Sequence, residues 1–226
     1  MKNLVLLGPP GSGKGTQAQL LEEKCWVRIS TGDLLRENIK NETEIGKKVM
    51  QIMSTGKLVD NETVFELVKN KIENLQIEKA ILDGFPRNLQ QAMLLEEYSR
   101  KREDEFIIVL IELSDYEIAR RNTGRRTCSN CEKIYNIHFS PPRIAERCDE
   151  CSSPLIARAD DVEEVIQERI RIYRDEIKEL VNFYGSSNHV QVVDGALPAD
   201  KIHATILNII EESSDRDKDS TRNIKN

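Results

Sequence analysis

Leu4-Val5-Leu6-Leu7-Gly8-Pro9-Pro10-Gly11-Ser12-Gly13-Lys14-Gly15-Thr16-Gln17 joins an unbroken apolar run to a glycine-rich turn, and then to a helical pattern through Leu20 and Leu21. Four adjacent apolar residues without alternation read as a strand buried on both faces, the pattern of a parallel sheet. In this strand–loop–helix context, Gly8-x4-Gly13-Lys14 is the signature of a phosphate-binding loop. The glycines let successive backbone N–H groups turn inward on a polyphosphate. The helix N-terminus adds its dipole, and Lys14 brings a mobile ammonium to the outer phosphates. A strict loop of this kind has Ser or Thr directly after the lysine to ligate magnesium; here Gly15 follows, then Thr16. Magnesium is therefore expected to be held through substrate phosphates and water, with Asp83 after Ala80-Ile81-Leu82 orienting the water shell.

Similar runs recur at Trp26–Ile29, Ala80–Leu82, Phe106–Leu113 and Val190–Val193, with helical stretches between them. One helix starts at the capping box Ser114-Asp115-Tyr116-Glu117. A longer one starts near Asp160-Asp161 and carries Val162, Ile166, Ile170, Tyr173, Ile177 and Leu180 at helical spacing. This alternation predicts an α/β fold, a parallel sheet with helices on both faces. Residues 30–59 and 122–159 break the alternation and read as excursions from the sheet. The core is thus expected over 1–29, 60–121 and 160–212. From Ser213 to 226 the chain offers almost no core-forming residues and is expected to be disordered.

Charged residues are 32% and apolar residues 38% of the 226, which still supplies a core and excludes wholesale disorder. No apolar run is long enough to span a bilayer. Met1-Lys2-Asn3 enters the first run without a signal-like region, so a cytoplasmic protein with no membrane partner is expected. A net charge of -6 argues against a general nucleic-acid binder.

Cys128-x2-Cys131 and Cys148-x2-Cys151 stand sixteen residues apart. Each pair turns two thiolates toward one point, and two pairs complete the tetrahedron of a structural zinc site. Residues 121–159 hold seven Arg/Lys and four Asp/Glu, which with four thiolates on one zinc leaves too little positive charge for a DNA-reading module. Reduced free thiols and disulfides are the competing readings. The fifth cysteine, Cys25, reads as a small buried apolar residue.

The extended loop, Ser30-Thr31-Gly32-Asp33-Leu34-Leu35-Arg36, Asp83-Gly84-Phe85-Pro86-Arg87, Gly124-Arg125-Arg126 and Arg158-Ala159-Asp160-Asp161 together resemble the adenylate kinases, over residues 1 to about 210. The resemblance implies a phosphotransferase with a five-stranded parallel sheet, which converts Mg-ATP and AMP reversibly to two ADP in nucleotide homeostasis. Residues 30–59 then form the segment over the monophosphate, and 122–159 a zinc-binding lid over ATP. It places ATP on Gly11 through Thr16, Arg121 (with Arg120 as the alternative), Arg125, Ile134, Tyr135 and Leu197. AMP goes to Thr31, Arg36, Lys57-Leu58-Val59, Gly84 through Arg87, Gln91, Arg158 and Arg169. Lys14, Arg87, Arg125, Arg158 and Arg169 carry the transfer, since guanidinium forks suit phosphate oxygens. Thr31 would also serve as a helix N-cap. Where a proline usually follows Val59, this chain has Asp60-Asn61. A monomer is expected.

Two other readings remain at this stage. A P-loop ATPase presenting a zinc ribbon would need no second phosphate pocket of the Arg36/Arg87 kind. A kinase for UMP, CMP or another monophosphate would differ in the residue facing the acceptor base.

Overall fold

The apolar runs become strands of one sheet. The computed structural model describes residues 2–75, 79–185 and 190–223. In chain order these form β1 (Lys2–Leu7), α1 (Lys14–Glu22), β2 (Val27–Ser30), α2 (Thr31–Lys40), α3 (Glu44–Ser54) and α4 (Asn61–Leu75). Next come β3 (Ala80–Asp83), α5 (Leu89–Arg102), β4 (Glu105–Glu112) and α6 (Asp115–Thr123). Short strands β5 (Arg125–Cys128), β6 (Ile134–Asn136) and β7 (Leu155–Ile156) follow, then α7 (Glu163–Gly185), β8 (Val190–Asp194) and α8 (Ala199–Asn223).

The main sheet has order β2-β3-β1-β4-β8, all parallel. Its unbroken apolar strands are explained by cores on both faces. Leu4, Leu6, Ile107, Val109 and Ile111 pack with Ala18 and Leu21 of α1 and Ile202 and Ile206 of α8. Val5, Leu7, Ile108 and Leu110 instead join Leu35, Val68, Leu95 and Leu180 from α2, α4, α5 and α7. The carboxyl ends of β1, β2 and β3 therefore meet at one edge, where open α/β sheets place their ligands.

The first excursion is the α2–α3 helix pair, joined so closely that a Cβ on Gly46 would lie 2.0 Å from the Asn38 carbonyl oxygen. The second, whose weak periodicity hid its strands, is a small antiparallel sheet of order β6-β5-β7. Ser30, not Thr31, caps α2: its hydroxyl accepts from the Asp33 N–H at 3.3 Å, and Thr31 is the first helical residue. Cys25 is exposed, contrary to expectation, because it turns the chain after α1 at φ 63. α8 runs to Asn223, past the Ser213 at which disorder was expected, and no Pro or Gly interrupts that stretch. The last three residues, 224–226, lie outside the described residues. Among the described residues, no helix is long and apolar enough to cross a membrane.

Candidate active site

The loop between β1 and α1 closes around its own lysine. Lys14 Nζ donates to the carbonyls of Gly8 at 2.8 Å and Pro9 at 2.7 Å. Gly11 and Gly13 both adopt positive φ, 79 and 98, which L side chains rarely do. Gly11 is also pressed from behind, since a Cβ there would lie 2.4 Å from Asn122 Nδ2. That amide, fully buried, donates to the Pro10 carbonyl at 2.9 Å and to Ile118 at 2.7 Å. Asn122 thereby ties the loop to the end of α6, just before the small antiparallel sheet.

A cleft of about 780 Å³ runs from this loop across the carboxyl edge of the sheet. Lys14, Arg28, Arg36, Arg87, Arg121, Arg125, Arg158 and Arg169 line it, against Asp83 and Glu117. Eight bases facing two acids, in a chain of net charge -6, make an anion site. Burial and mutual repulsion act together here. Burial, reinforced by Arg36 and Arg125, pushes Arg158 down to about 10. Burial likewise brings Arg169 to about 10, with Arg125 and Arg87 adding to the effect and Asp160 opposing it. For Lys14, burial dominates and the value falls to about 7; Asp83 opposes this and Arg87, Arg169 and Arg125 add to it.

Buried acids fix the guanidinium groups. Asp161 holds Arg125, with Nε to Oδ2 at 2.7 Å. Asp160 holds Arg169 at 2.9 Å, whereas the neighbouring Glu168 pairs with Arg171. Asp33 pairs with Arg36 and lies 4.0 Å from Arg158. Burial raises the Asp33 carboxyl, yet Arg36 and Arg28 beside it hold it at about 2. Arg87 Nε and Thr31 Oγ1 both donate to the Gly84 carbonyl, each at 2.8 Å.

A narrower recess adjoins the cleft and shares Gly32, Arg36, Gly56, Leu58, Arg87 and Arg169 with it. It brings together Thr31, Lys57, Leu58, Val59 and Gln91. Gln91 is 1% exposed and already paired: its oxygen accepts from Arg87 N at 2.8 Å and its amide donates to Asn61 at 3.1 Å. Asn61, in the Asp60-Asn61 that replaces the usual proline, thus orients Gln91. Phe85 differs from its neighbours Gly84, Pro86 and Arg87: it is fully buried in the core and stacks on Phe65, so its side chain serves packing.

At the glycine-loop end, Ile134, Tyr135 and Leu197 line the cleft with Gly11 through Thr16. Both adjacent arginines approach the Phe139 ring, but only Arg121 lines the cleft, while the Arg120 side chain is 47% exposed. Asp83 Oδ2 would be 3.5 Å from a Cβ on Gly15, so its carboxylate stands beside the loop and fits a magnesium water shell. Sequence reasoning missed Arg28, Asn122 and Asn61. The signal for Arg28 was a charge inside an otherwise apolar strand.

The four cysteines converge, with all sulfurs within 4.8 Å of one another and close pairs at 3.4, 3.5 and 3.6 Å. A tetrahedron with Zn–S near 2.3 Å has edges of about 3.8 Å; disulfide sulfurs would be about 2.05 Å apart. The pairs form equivalent turns. Cys128 N bonds Lys133 O and Cys148 N bonds Ser153 O, both at 2.9 Å, and Glu132 and Ser152 take positive φ at matching positions. The donor set and its spacing fit a four-thiolate metal.

The adenylate kinase family model matches residues 6–189. The chain is 42% identical over 211 residues to an adenylate kinase of Clostridium novyi, covering 92% of this chain and 98% of that one. It is 40% identical to one of Petrotoga mobilis, with 92% and 96% covered, and 39% identical to one of Archaeoglobus fulgidus, with 93% and 98% covered. The chain belongs to the adenylate kinase family. As an adenylate kinase relative it is a phosphotransferase, with the five-stranded P-loop core that its motifs imply.

Proposed function

We propose that the chain transfers the γ-phosphoryl group of ATP to AMP, giving two ADP, and reverses the reaction. One observation carries this reading: the glycine loop and the Arg36/Arg87 recess open into each other and share arginines. A hydrolase of ATP has no use for the second pocket. An oxygen of the AMP phosphate attacks the γ-phosphorus in line. The bond from that phosphorus to the β–γ bridging oxygen breaks, and the electron pair leaves with the ADP. No base is needed, because the attacking phosphate is already anionic.

Catalysis is positioning and charge stabilisation. Arg36 and Arg87 hold the acceptor phosphate. Arg125, Arg158 and Arg169 reach the transferring group, and Lys14 with the loop amides cradles the donor. Arg125, Arg158 and Arg169 are largely buried, so these three act in a lower dielectric than bulk water. Magnesium, when bound with ATP, offsets charge on the β- and γ-phosphate oxygens, and Asp83 would hold its water shell. Zinc at the four cysteines would fix the lid's shape without entering the chemistry. Recess contacts at Lys57-Leu58-Val59 and Gln91 support adenine as the acceptor base, since an amide both donates and accepts. A coupled assay with AMP, GMP, CMP or UMP tests this. ADP should form from ATP with AMP present; ADP without any acceptor, or preference for a pyrimidine monophosphate, would contradict it.

A further inference from the structure

Arg28 lies on β2, a strand otherwise apolar from Trp26 to Ile29, and nothing in the proposed phosphoryl transfer employs it. Its guanidinium runs along the carboxyl edge of the sheet between two carboxylates. Nε and Nη2 donate to Asp83 Oδ2 at 3.2 and 3.0 Å, and Nη2 lies 2.7 Å from Asp33 Oδ2. All three side chains are largely buried, at 13%, 10% and 24% exposure. Nη2 would also be 3.5 Å from a Cβ on Gly15, the same distance as Asp83 Oδ2. A cation therefore stands at the corner where a strict phosphate loop would present its magnesium-ligating hydroxyl.

We propose that Arg28 is an internal counter-cation for the Asp33–Asp83 carboxylate pair, a positioning residue that competes with the divalent ion for Asp83 and so sets how tightly the ion binds. The oxygen of Asp83 that Arg28 occupies is the one nearest the loop, so the ion's water shell and the guanidinium draw on the same acceptor. Asp33 links this competition to the acceptor site, because it also pairs with Arg36. Releasing Arg28 from Asp83 leaves it on Asp33, which keeps the guanidinium buried and paired during the exchange. A unit charge about 6 Å from a divalent ion in a water-like dielectric changes its binding roughly tenfold.

This inference rests on the phosphotransfer reading of the cleft, and its test separates the two. Mn2+ is titrated into the protein saturated with a non-transferable ATP analogue, and free Mn2+ is followed by its EPR signal. Arg28→Gln should bind Mn2+ about tenfold more tightly than the parent chain. Arg28→Lys, which keeps the charge beside Asp83 but cannot fork onto both acids, should stay within about twofold. If Arg28→Gln does not fold, Arg28→Met, which keeps the unbranched apolar stem and removes only the charge, must show the same tightening. Equal or weaker binding in the charge-removing variant overturns the role of Arg28 while leaving the phosphotransfer reading intact. Absence of Mn2+ binding in the parent chain overturns both. A purely packing role would lower the melting temperature and leave the Mn2+ isotherm unmoved.

Discussion

Lys14 offers a quantitative handle on the donor site. Burial, reinforced by three nearby arginines and only partly offset by Asp83, brings its ammonium to about 7. With the polyphosphate against it, the charged form regains a partner and the lysine returns toward its ordinary range. At pH 8 a group of pKa about 7 is about 10% protonated, so nucleotide binding should take up about 0.9 proton; at pH 7 the uptake should be about 0.5. Titration calorimetry with ADP in buffers of different ionisation enthalpy measures this directly. Phosphate second ionisation lies near pH 6, so the nucleotide itself contributes little at pH 8. Lys14→Met should lose the uptake. Uptake below about 0.2 proton at pH 8, or the same value in Lys14→Met, would refute the argument. The sign for folding follows from the same values. The unfolded chain, with Lys14 near 10.5, binds more protons between pH 7 and 10.5. This group's contribution to stability therefore rises with pH across that window, and its penalty is full at and below pH 7. Lys14→Met should stabilise the ligand-free protein more at pH 7 than at pH 10.

Two more predictions concern the small cysteine-bearing sheet and the Asn122 contact before it. Apart from the cysteines, the buried cluster of the small sheet contains Tyr135 and Leu155 alone among the described residues, too little to order the segment without a staple. Chelation, or Cys148→Ser, should abolish amide protection at Tyr135 and Leu155 while β1 and β4 stay protected; unchanged exchange in the small sheet would rule out a stabilising metal. Asn122→Leu leaves the Pro10 carbonyl without its buried donor and should cost about 1–3 kcal/mol in urea unfolding. The same variant should raise KM for ATP with KM for AMP unchanged, and an equal rise in both would place Asn122 outside the loop's support.

The sheet was legible because β1, β3 and β4 are buried on both faces and so lack polar interruptions. The loop and the thiolate quartet were legible because backbone and metal geometry dictate residue type at fixed spacing. The small antiparallel sheet was not, since β6 and β7 span three and two residues and carry no period. Arg28, Asn61 and Asn122 escaped for another reason: their partners Asp83, Gln91 and Pro10 lie 55, 30 and 112 positions away. Local pattern says nothing of such pairs. Ser30 and Thr31 are both good caps in sequence, and the choice between them was made by Thr31 finding the Gly84 carbonyl across the sheet edge.

The most direct test of two anion sites joined by shared arginines uses a bisubstrate analogue, two adenosines bridged by a pentaphosphate, titrated calorimetrically into the protein. One molecule should bind per chain, and Arg87→Met and Arg125→Met should each weaken it by at least tenfold. Two molecules per chain, or affinity untouched by either substitution, would contradict the account.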